Sequence, residues 1–291
     1  MSTSKIALGT AQFGMNYGIA NRRGQLPEQE VADLLSRALA VGIDTLDTAV
    51  AYGDSETILG RIGVQYWKII SKVPAAPDNV TDVKDWMFRS VKASLERLGR
   101  SRLDGLMLHN PEQLTGSRGK ATAAALVEIR SRGLADKIGY SIYDTNRLEL
   151  YLQQLEPEII QVPFNILDQK LLTSGWLSRL KRMGCEVHTR SAFLQGLLLM
   201  SASERPSEFA EFSNVWEKWD GWLGSRAIGS VEACLRFVLN TPGIDRIVVG
   251  VDSIDQLDAL VAADHSPLET LPEWPDRIDP RLINPSLWSS L

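Results

Sequence analysis

The amino-acid sequence predicts an α/β fold in which eight strands and their helices form one (β/α)8 barrel of the TIM type. Apolar runs of strand length alternate with helical patterns about eight times, as repeated βα units require. A chain of 291 residues with 44% hydrophobic residues has the length and the apolar content for one such barrel. No linker divides residues 1–291, so we expect a single domain with long loops at the carboxyl-terminal mouth of the barrel.

The predicted strands are apolar runs of five to seven residues, and helical stretches separate them. One helix begins near Pro27, has acidic residues in its first turn and ends before Gly42. Another includes Arg89–Leu98 and ends at Gly99. The eight predicted strands are Ile6–Thr10, Ile43–Asp47, Trp67–Val73, Leu103–His109, Lys137–Ser141, Ile159–Pro163, Glu186–Arg190 and Arg246–Gly250.

Two connections are too long for simple turns, and both are expected to border the mouth of the barrel. They are residues 110–120 after the fourth strand and residues 195–224 after the seventh. The second contains Trp216, Trp219 and Trp222, whose spacing of three places them on one face of a helix. Such a stripe either lines a substrate cleft or packs against the barrel, and we favour packing.

Residues 266–291 form a tail with too much proline for a long helix. The tail also carries Trp274, Leu282 and Trp288, so we expect an extended arm packed along the barrel surface. Only about five residues precede the first predicted strand. Another segment, such as this tail, is therefore expected to cover the amino-terminal end of the barrel.

Composition argues against several classes of partner. The net charge is −5 and no basic run is longer than Arg22-Arg23, so no nucleic-acid partner is expected. No segment has the length and hydropathy of a membrane span or a signal peptide, which favours a cytoplasmic protein without a membrane partner. Cys185 and Cys234 fall in a predicted strand and helix and are expected to be buried, without a disulfide or a metal site.

Four polar side chains lie at or just beyond the ends of the second, third and fourth predicted strands. They are Asp47, Tyr52, Lys72 and His109. The carboxyl ends of all strands in a parallel barrel meet at one mouth, so these residues are expected to converge. A tyrosine with a pKa of about 10 needs a nearby cation to become a useful proton donor. Lys72 supplies that charge, Asp47 orients Lys72, and His109 donates a hydrogen bond to a substrate oxygen or relays a proton. These four roles together suit the reduction of a carbonyl group.

The pattern D-x-A-x-x-Y-G at residues 47–53, followed by Lys72 and His109 near the ends of the next two strands, resembles the aldo-keto reductases. The resemblance extends from Leu8–Gly14 to Gly250–Ser253. It implies a catalytic tetrad with Tyr52 as general acid, a nicotinamide cofactor (NADPH or NADH) as hydride donor, and a small carbonyl or sugar-like substrate. It also implies a C-terminal segment that shapes substrate specificity, although a passive strap is an equal alternative.

The same resemblance implies a set of cofactor-binding positions. Gly9 and Thr10 correspond to contacts of the first strand, Ser141 and Gln161 to groups that bind the nicotinamide carboxamide, and residues 191–196 to a pyrophosphate loop. The full set is Gly9, Thr10, Asp47, Ser141, Gln161, Arg190, Ser191, Phe193, Gln195, Gly196, Gly250, Ser253 and Gln256.

This chain departs from the family pattern at several of these positions. Ile142 replaces an asparagine, and Arg190 replaces the aromatic residue that stacks on the nicotinamide. A guanidinium stacks through its plane but disfavours the positively charged oxidised ring, which favours the reduced cofactor. Asp252 and Asp255 stand where members that use NADPH generally place basic residues, and Ala259-Leu260 stands in place of Glu-Asn. There are two interpretations of these carboxylates: they repel a 2′-phosphate, or they only complement the dipole of the following helix.

Two other functions are compatible with the residues. One is elimination or isomerisation on a hydroxylated substrate without redox chemistry, and the other is a ligand-binding module without catalysis. Arg118, Lys120 and Arg190 in the expected rim either receive a carboxylate or phosphate of the substrate or remain solvated. The segment Gln12–Asn21 resembles a subset of aldo-keto reductases associated with sugar metabolism.

Overall fold

The chain forms a closed barrel of eight parallel strands in the computed structural model, which describes residues 4–263, 265–275 and 278–290. Each strand pairs with its neighbours in sequence, and the last strand pairs with the first. The (β/α)8 prediction is therefore confirmed. The strands are β1 Ile6–Gly9, β2 Thr45–Asp47, β3 Lys68–Val73, β4 Leu103–Leu108, β5 Ala135–Ser141, β6 Ile159–Pro163, β7 Glu186–Arg190 and β8 Arg246–Gly250.

The last three strands have the predicted bounds, and the first five differ by one or two residues at an end. Thr10 and His109 lie just beyond β1 and β4, although their N–H groups still donate to Asp47 O at 3.0 Å and Val73 O at 2.9 Å. These hydrogen bonds continue the pairing of neighbouring strands beyond the residues assigned to β1 and β4, because the strands do not all end at the same level of the barrel mouth. β2 is shorter than predicted because Ile43 and Asp44 belong to the connection before it.

Helices connect the strands on the outside of the barrel. The predicted helix before Gly42 is α2. The predicted helix that includes Arg89–Leu98 begins at Val83, where the Asp82 carboxylate accepts a hydrogen bond from Asp85 N and caps it. The helices are α1 Ala11–Gly14, α2 Glu28–Ala40, α3 Ser55–Ile62, α4 Val83–Leu98, α5 Gly119–Ser131, α6 Leu148–Leu152, α7 Lys170–Thr173, α8 Trp176–Arg182, α9 Ser213–Arg226, α10 Ser230–Leu239, α11 Ile254–Ala262 and α12 Pro280–Ile283. Short 3₁₀ helices span Pro111–Leu114, Thr145–Arg147, Leu194–Leu199, Ser207–Phe212 and Pro285–Ser290.

The tryptophan stripe lies on α9 and belongs to the core, as predicted. Trp216, Trp219 and Trp222 are buried, and the rings of the last two are stacked with centroids 5.8 Å apart. The Trp219 indole N–H donates to Leu198 O at 3.1 Å. The stripe therefore fixes the long segment after β7 to the outside of the barrel.

The described part of the tail packs along the outside of α9 and α10. Arg236 on α10 donates to Ser266 O at 2.7 Å, and the Trp274 indole donates to Ile166 O at 2.9 Å. Ile166 follows β6, so Trp274 lies toward the carboxyl-terminal mouth and away from the end that we expected the tail to cover.

Charged side chains, and not this part of the tail, line the amino-terminal end of the barrel interior. The Glu186 carboxylate binds His188 Nε2 at 2.7 Å and also pairs with Lys137 on β5. Lys68 pairs with Asp44 at 2.7 Å. Glu186 and His188 share the inward face of β7 with Arg190, because alternate residues of a strand point the same way. These ion pairs satisfy polar groups that would otherwise be unpaired beneath the hydrophobic layer of the barrel.

We expect the replacement Glu186→Gln to reveal the contribution of this cluster to stability. His188, and next Lys137, lower the pKa of the Glu186 carboxyl group to about 2 from an ordinary value of 4.5. A lowered carboxyl pKa stabilises the fold above the unfolded-state pKa, and this contribution disappears as the pH falls toward 2. The variant should lose about 2 kcal/mol of unfolding free energy at pH 7, a value between those of exposed and buried pairs.

Urea denaturation at pH 7 and pH 3 measures this effect, and the difference between variant and native protein should shrink at pH 3. Glu28→Gln is the matched control, because its exposed pair with Arg61 should contribute little at either pH. An equal loss for Glu186→Gln at both pH values would contradict the expectation.

Candidate active site

A buried ion pair between Asp47 and Lys72 forms the base of the site. The Lys72 ammonium lies 2.6 Å from Asp47 Oδ1, and both side chains are almost fully buried. Lys72 also donates to Thr48 O at 3.0 Å. Asp47 pairs in register with Ile70, so Lys72, two residues further on, points to the same inward face. The two residues therefore meet because of the barrel register.

Tyr52 lies on a short loop after β2 that is packed tightly against the loop after β1. A Cβ atom on Gly14 would come within 1.9 Å of Tyr52 O, and one on Gly53 within 2.2 Å of Gly14 O. Gly53 also has φ of +53°, a left-handed conformation that glycine adopts readily. Only glycine fits this close contact of two loops at either position. The contact fixes the backbone from which the Tyr52 side chain extends.

Tyr52, Lys72 and His109 face one another at the mouth. The Lys72 ammonium lies 5.1 Å from the centroid of the Tyr52 ring. The Tyr52 and His109 rings meet edge to face, with centroids 5.7 Å apart and an interplanar angle of 84°. The structure thus brings together the four residues that the sequence singled out.

The electrostatic environment sets the protonation of these groups. Burial, and then the nearby Asp47 carboxylate, raise the pKa of Tyr52, so its phenol stays protonated at neutral pH. Burial lowers the pKa of Lys72, and the direct contact with Asp47 opposes that change. Burial, and then the Lys72 cation, lower the pKa of His109 to about 4. His109 is therefore a neutral imidazole under ordinary conditions.

Gln161 connects the ion pair to β5. Its amide Nε2 donates to Asp47 Oδ2 at 2.8 Å, and its Oε1 accepts from Ser141 Oγ at 3.4 Å. Both oxygens of the Asp47 carboxylate are therefore engaged, one by Lys72 and the other by Gln161. This arrangement holds Asp47 in one orientation.

A cavity of about 310 Å³, here called the main cavity, extends from Tyr52 and Asp47 across the ends of β1 and β8 to Gln256 and Leu260 on α11. Ser141 lies outside its lining, bonded to Gln161, and Ser253 caps α11 by accepting from Gln256 N at 3.2 Å. The predicted cofactor residues that line the cavity are Gly9, Thr10, Asp47, Gln161, Arg190, Ser191, Phe193, Gln195, Gly196, Gly250 and Gln256.

Residues 5–270 match the sequence model of the Aldo/keto reductase family. The chain belongs to this family. Aldo/keto reductases are oxidoreductases that act with NAD(P)H on small carbonyl compounds. The match covers the whole barrel described above, including every strand and the residues around the main cavity.

Individual relatives are distant, but they align along much of the chain. The chain is 26% identical to D-threo-aldose 1-dehydrogenase from Pseudomonas sp, with 95% of this chain and 96% of that protein covered. It is 29% identical to the NADH-specific methylglyoxal reductase of Escherichia coli (strain K12), with 68% of this chain and 66% of that protein covered. Among solved structures, the holo form of aldo-keto reductase AKR11C1 from Bacillus halodurans shares the fold, with a TM-score of 0.72, 22% identity and coverage of 91% and 88%.

The loop after β1 contributes residues of this reductase that the sequence reasoning did not assign to the site. Gln12, Tyr17, Ala20 and Asn21 line the main cavity. Ala20 packs against Gly196 so closely that a Cβ atom on Gly196 would lie 2.3 Å from Ala20 Cβ. The loop therefore meets the segment after β7 over the cavity. Its position directly after β1, at the same mouth as the tetrad, was the signal that could have identified it.

The three basic residues of the expected rim have different environments. Arg190 donates to Ile142 O at 3.1 Å and its guanidinium lies 4.5 Å from the centroid of the Tyr143 ring, beside the cavity. Arg118 instead donates to Pro77 O at 2.9 Å and to Asp78 O, which ties it to the loop after β3. Lys120 is exposed on α5. Of the three, only Arg190 lines the main cavity.

Residues 4–263, 265–275 and 278–290 contain neither a metal-binding cluster nor a membrane-spanning helix. No group of three or more His, Cys, Asp or Glu side chains there is arranged to hold a metal ion. Over the same described residues, every helix is too short or too polar to span a bilayer. Cys185 and Cys234 are both free and buried.

We expect the His109 imidazole to stay neutral down to about pH 5, because its pKa is lowered to about 4. The chain has three histidines, so NMR spectra of the native protein and of His109→Asn assign its ring resonances by difference. These resonances should not shift between pH 6 and pH 8. A midpoint near 6.5 would show that the burial of His109 and the Lys72 charge do not act as described.

Proposed function

We propose that this chain reduces an aldehyde or ketone to an alcohol, with a nicotinamide cofactor as hydride donor and Tyr52 as general acid. The observation that carries the proposal is the meeting of Asp47, Tyr52, Lys72 and His109 at the mouth of the barrel, where Asp47 and Tyr52 line one end of the main cavity. Family membership supports the reaction class. Each of the four side chains has a defined task in such a reaction.

The chain's own residues account for the proton half of the reaction. A bound reduced nicotinamide supplies the hydride that adds to the carbonyl carbon. Tyr52 gives its phenolic proton to the carbonyl oxygen, and the Lys72 cation 5.1 Å from its ring stabilises the phenolate that remains. His109, as a neutral imidazole, donates a hydrogen bond that orients the carbonyl oxygen and stabilises its developing negative charge. A proton from solvent then restores the phenol.

The backbone of the segment after β7 supports a dinucleotide in the main cavity. Ser191, Leu194 and Gln195 have φ between +51° and +63°, a left-handed conformation that is uncommon outside glycine. Such strained residues concentrate at ligand-binding sites, and these line or border the cavity where the family resemblance expects the pyrophosphate. Turns of this kind form concave sites for anions. The residues present are therefore consistent with the cofactor of the family.

Within the proposal, NADH is the preferred cofactor and a sugar-like aldehyde or ketone is the favoured substrate. Asp252 and Asp255 add negative charge near α11, where a 2′-phosphate of NADPH would be repelled. A relative from E. coli is an NADH-specific reductase, and another from Pseudomonas sp is named as an aldose dehydrogenase. Tyr17 and Tyr143 are partly exposed near Tyr52, so phenolic hydroxyls are available to a hydroxylated substrate.

The replacement Tyr52→Phe should lower kcat for aldehyde reduction by roughly a hundredfold or more, because it removes the general acid. The assay follows NADH oxidation with short aldehydes and aldoses. Tyr66→Phe is the matched control, because Tyr66 is 80% exposed and its hydroxyl has no part in the site. Full activity of Tyr52→Phe would contradict the assigned role.

The same experiment separates the proposal from the two alternatives. Turnover of a hydroxylated substrate without any nicotinamide would favour elimination or isomerisation. Ligand binding without turnover, unaffected by Tyr52→Phe, would favour a catalytically silent module.

Replacement of Arg190 by leucine should raise the affinity for NAD⁺ relative to NADH by about three- to tenfold, because a guanidinium disfavours a positively charged ring. Quenching of tryptophan fluorescence gives both dissociation constants. Lys120→Leu also removes one positive charge, from the exposed face of α5, and should leave the ratio unchanged. Identical ratios in native protein and Arg190→Leu would exclude this role.

A further inference from the structure

The short loop after β6, residues 164–168, is buried, and one of its side chains reaches the strained backbone beside the main cavity. Asn165 is fully buried, with 0% of its surface exposed. Its amide Nδ2 donates to Ser191 O at 3.0 Å. Ser191 follows β7, lines the main cavity and has a φ of +63°. The Asn165 side chain therefore joins the loop after β6 to the first left-handed residue of the segment after β7.

The orientation of the Asn165 amide is fixed by the loop itself. Its Oδ1 accepts hydrogen bonds from Leu167 N and Asp168 N, both at 2.9 Å. An oxygen that receives two backbone N–H groups must be the carbonyl oxygen, so the other end of the amide is the NH2 group and faces Ser191 O. Because asparagine combines an acceptor and a donor at this spacing, neither aspartate nor serine makes all three bonds.

Other contacts hold the loop in place without the Asn165 side chain. Ile166 O accepts from the Trp274 indole at 2.9 Å. The Phe164 ring stacks on Phe237 of α10, with centroids 5.1 Å apart. The loop is therefore a firm support, and loss of the bond from Asn165 should free the segment after β7 more than the loop.

Ser191 O points in a direction that a regular strand would not give it. Successive carbonyl oxygens of a strand point to opposite neighbouring strands. Arg190 O accepts from Phe164 N at 3.0 Å and so points toward β6. Ser191 O would then point toward β8 if β7 continued regularly, but it too points toward β6, where Asn165 binds it. The left-handed φ of Ser191 is unfavourable for a residue with a Cβ atom, and the bond from Asn165 helps to offset that cost.

We infer that Asn165 is a positioning residue, whose hydrogen bond to Ser191 O holds the segment after β7 in its ligand-binding conformation. This inference rests on the proposed function, since it takes a dinucleotide as the ligand of the main cavity. Without the bond, the strained segment relaxes to other conformations in the free protein. A ligand must then restore the binding form, so the apparent affinity falls with the fraction of the protein that is competent to bind. Once the ligand is bound, the native arrangement is restored and catalysis proceeds as before.

Hydrogen exchange and cofactor binding together test the inference. Asn165→Ser is the main variant, because a serine hydroxyl still accepts from the N–H groups of the loop but no longer reaches Ser191 O. Asn165→Asp, which keeps the shape of the side chain but buries a carboxylate, is the second variant. Gln169→Ala is the matched control, since it removes another bond of the same loop, from Gln169 Nε2 to Ile166 O at 2.9 Å, and leaves the bond to Ser191 O intact. Thermal melting shows whether each variant is folded.

In the ligand-free protein, a peptide that covers residues 191–199 should exchange its amide hydrogens roughly three- to tenfold faster in Asn165→Ser than in the native protein, as expected for one lost neutral hydrogen bond. Quenching of tryptophan fluorescence should show NADH binding that is weaker by a similar factor. The kcat for aldehyde reduction at saturating NADH should stay within about twofold of the native value, whereas a loss of folded protein would lower kcat and leave the dissociation constant unchanged.

Asn165→Asp should show the same changes or larger ones, because its carboxylate repels Ser191 O. Gln169→Ala should match the native protein in exchange of residues 191–199, in NADH affinity and in kcat.

Two results would overturn the inference. In the first, the native protein binds NADH, and Asn165→Ser leaves either the exchange or the NADH affinity unchanged. In the second, Asn165→Ser and Gln169→Ala change both quantities equally, which is a general loosening of the loop. If the native protein does not bind NADH, the proposed function fails and exchange alone decides the inference. Faster exchange in the Asn165 variants but not in Gln169→Ala then supports the positioning role, and equal exchange in all of them rejects it.

Discussion

The buried ion pair between Asp47 and Lys72 is the interaction on which the rest of the site depends. Two charges with side-chain exposures of 3% and 1% have lost almost all of their hydration. Such a pair persists only with close contact and further hydrogen bonds, because removing one partner of a buried pair costs about 3–5 kcal/mol. Here Thr48 O and the Gln161 amide provide those bonds. The barrel register that places these groups together is thus also a condition of the proposed catalytic arrangement.

The pair also determines what its neighbours can do. Burial, and then its carboxylate, raise the pKa of Tyr52, while burial, and then its ammonium, lower the pKa of His109, so both side chains are uncharged at neutral pH. The raised pKa keeps the phenol protonated as the proposed proton donor, and Lys72 would balance the phenolate that forms when the proton is transferred. The close contact of Gly14 with the Tyr52–Gly53 backbone then fixes the distance over which this coupling operates. Charge and backbone geometry therefore act on the same residue.

The barrel and the position of the four residues Asp47, Tyr52, Lys72 and His109 could be predicted from the sequence, because both follow from local patterns. Apolar runs of strand length predicted the bounds of β6, β7 and β8, and the order of the strands placed Lys72 beside Asp47. Contacts between distant loops could not be predicted from the sequence. Ala20 packs on Gly196, and Arg118 donates hydrogen bonds to backbone oxygens after β3. Both contacts depend on loop conformations, which the periodicity of the sequence does not predict. The tail is a similar case, because its prolines indicate an extended chain without indicating which surface it follows.

The distribution of charge along the main cavity gives the ligand a direction. At one end Arg190 stands beside the neutralised Asp47–Lys72 pair, so that end carries a surplus positive charge. At the other end Asp252 borders a second cavity of about 170 Å³, whose other charged lining residues are Glu30, Asp33 and Asp255, and the Arg23 guanidinium lies nearby, bonded to Asp252 O. A reduced nicotinamide is uncharged and suits the first end, whereas an unphosphorylated ribose suits the second. NADPH would place a dianion among carboxylates, and NAD⁺ would place a cation beside Arg190. Of the four nicotinamide dinucleotides, NADH alone avoids both repulsions, so one charge pattern supports both the proposed cofactor and the proposed direction of the reaction.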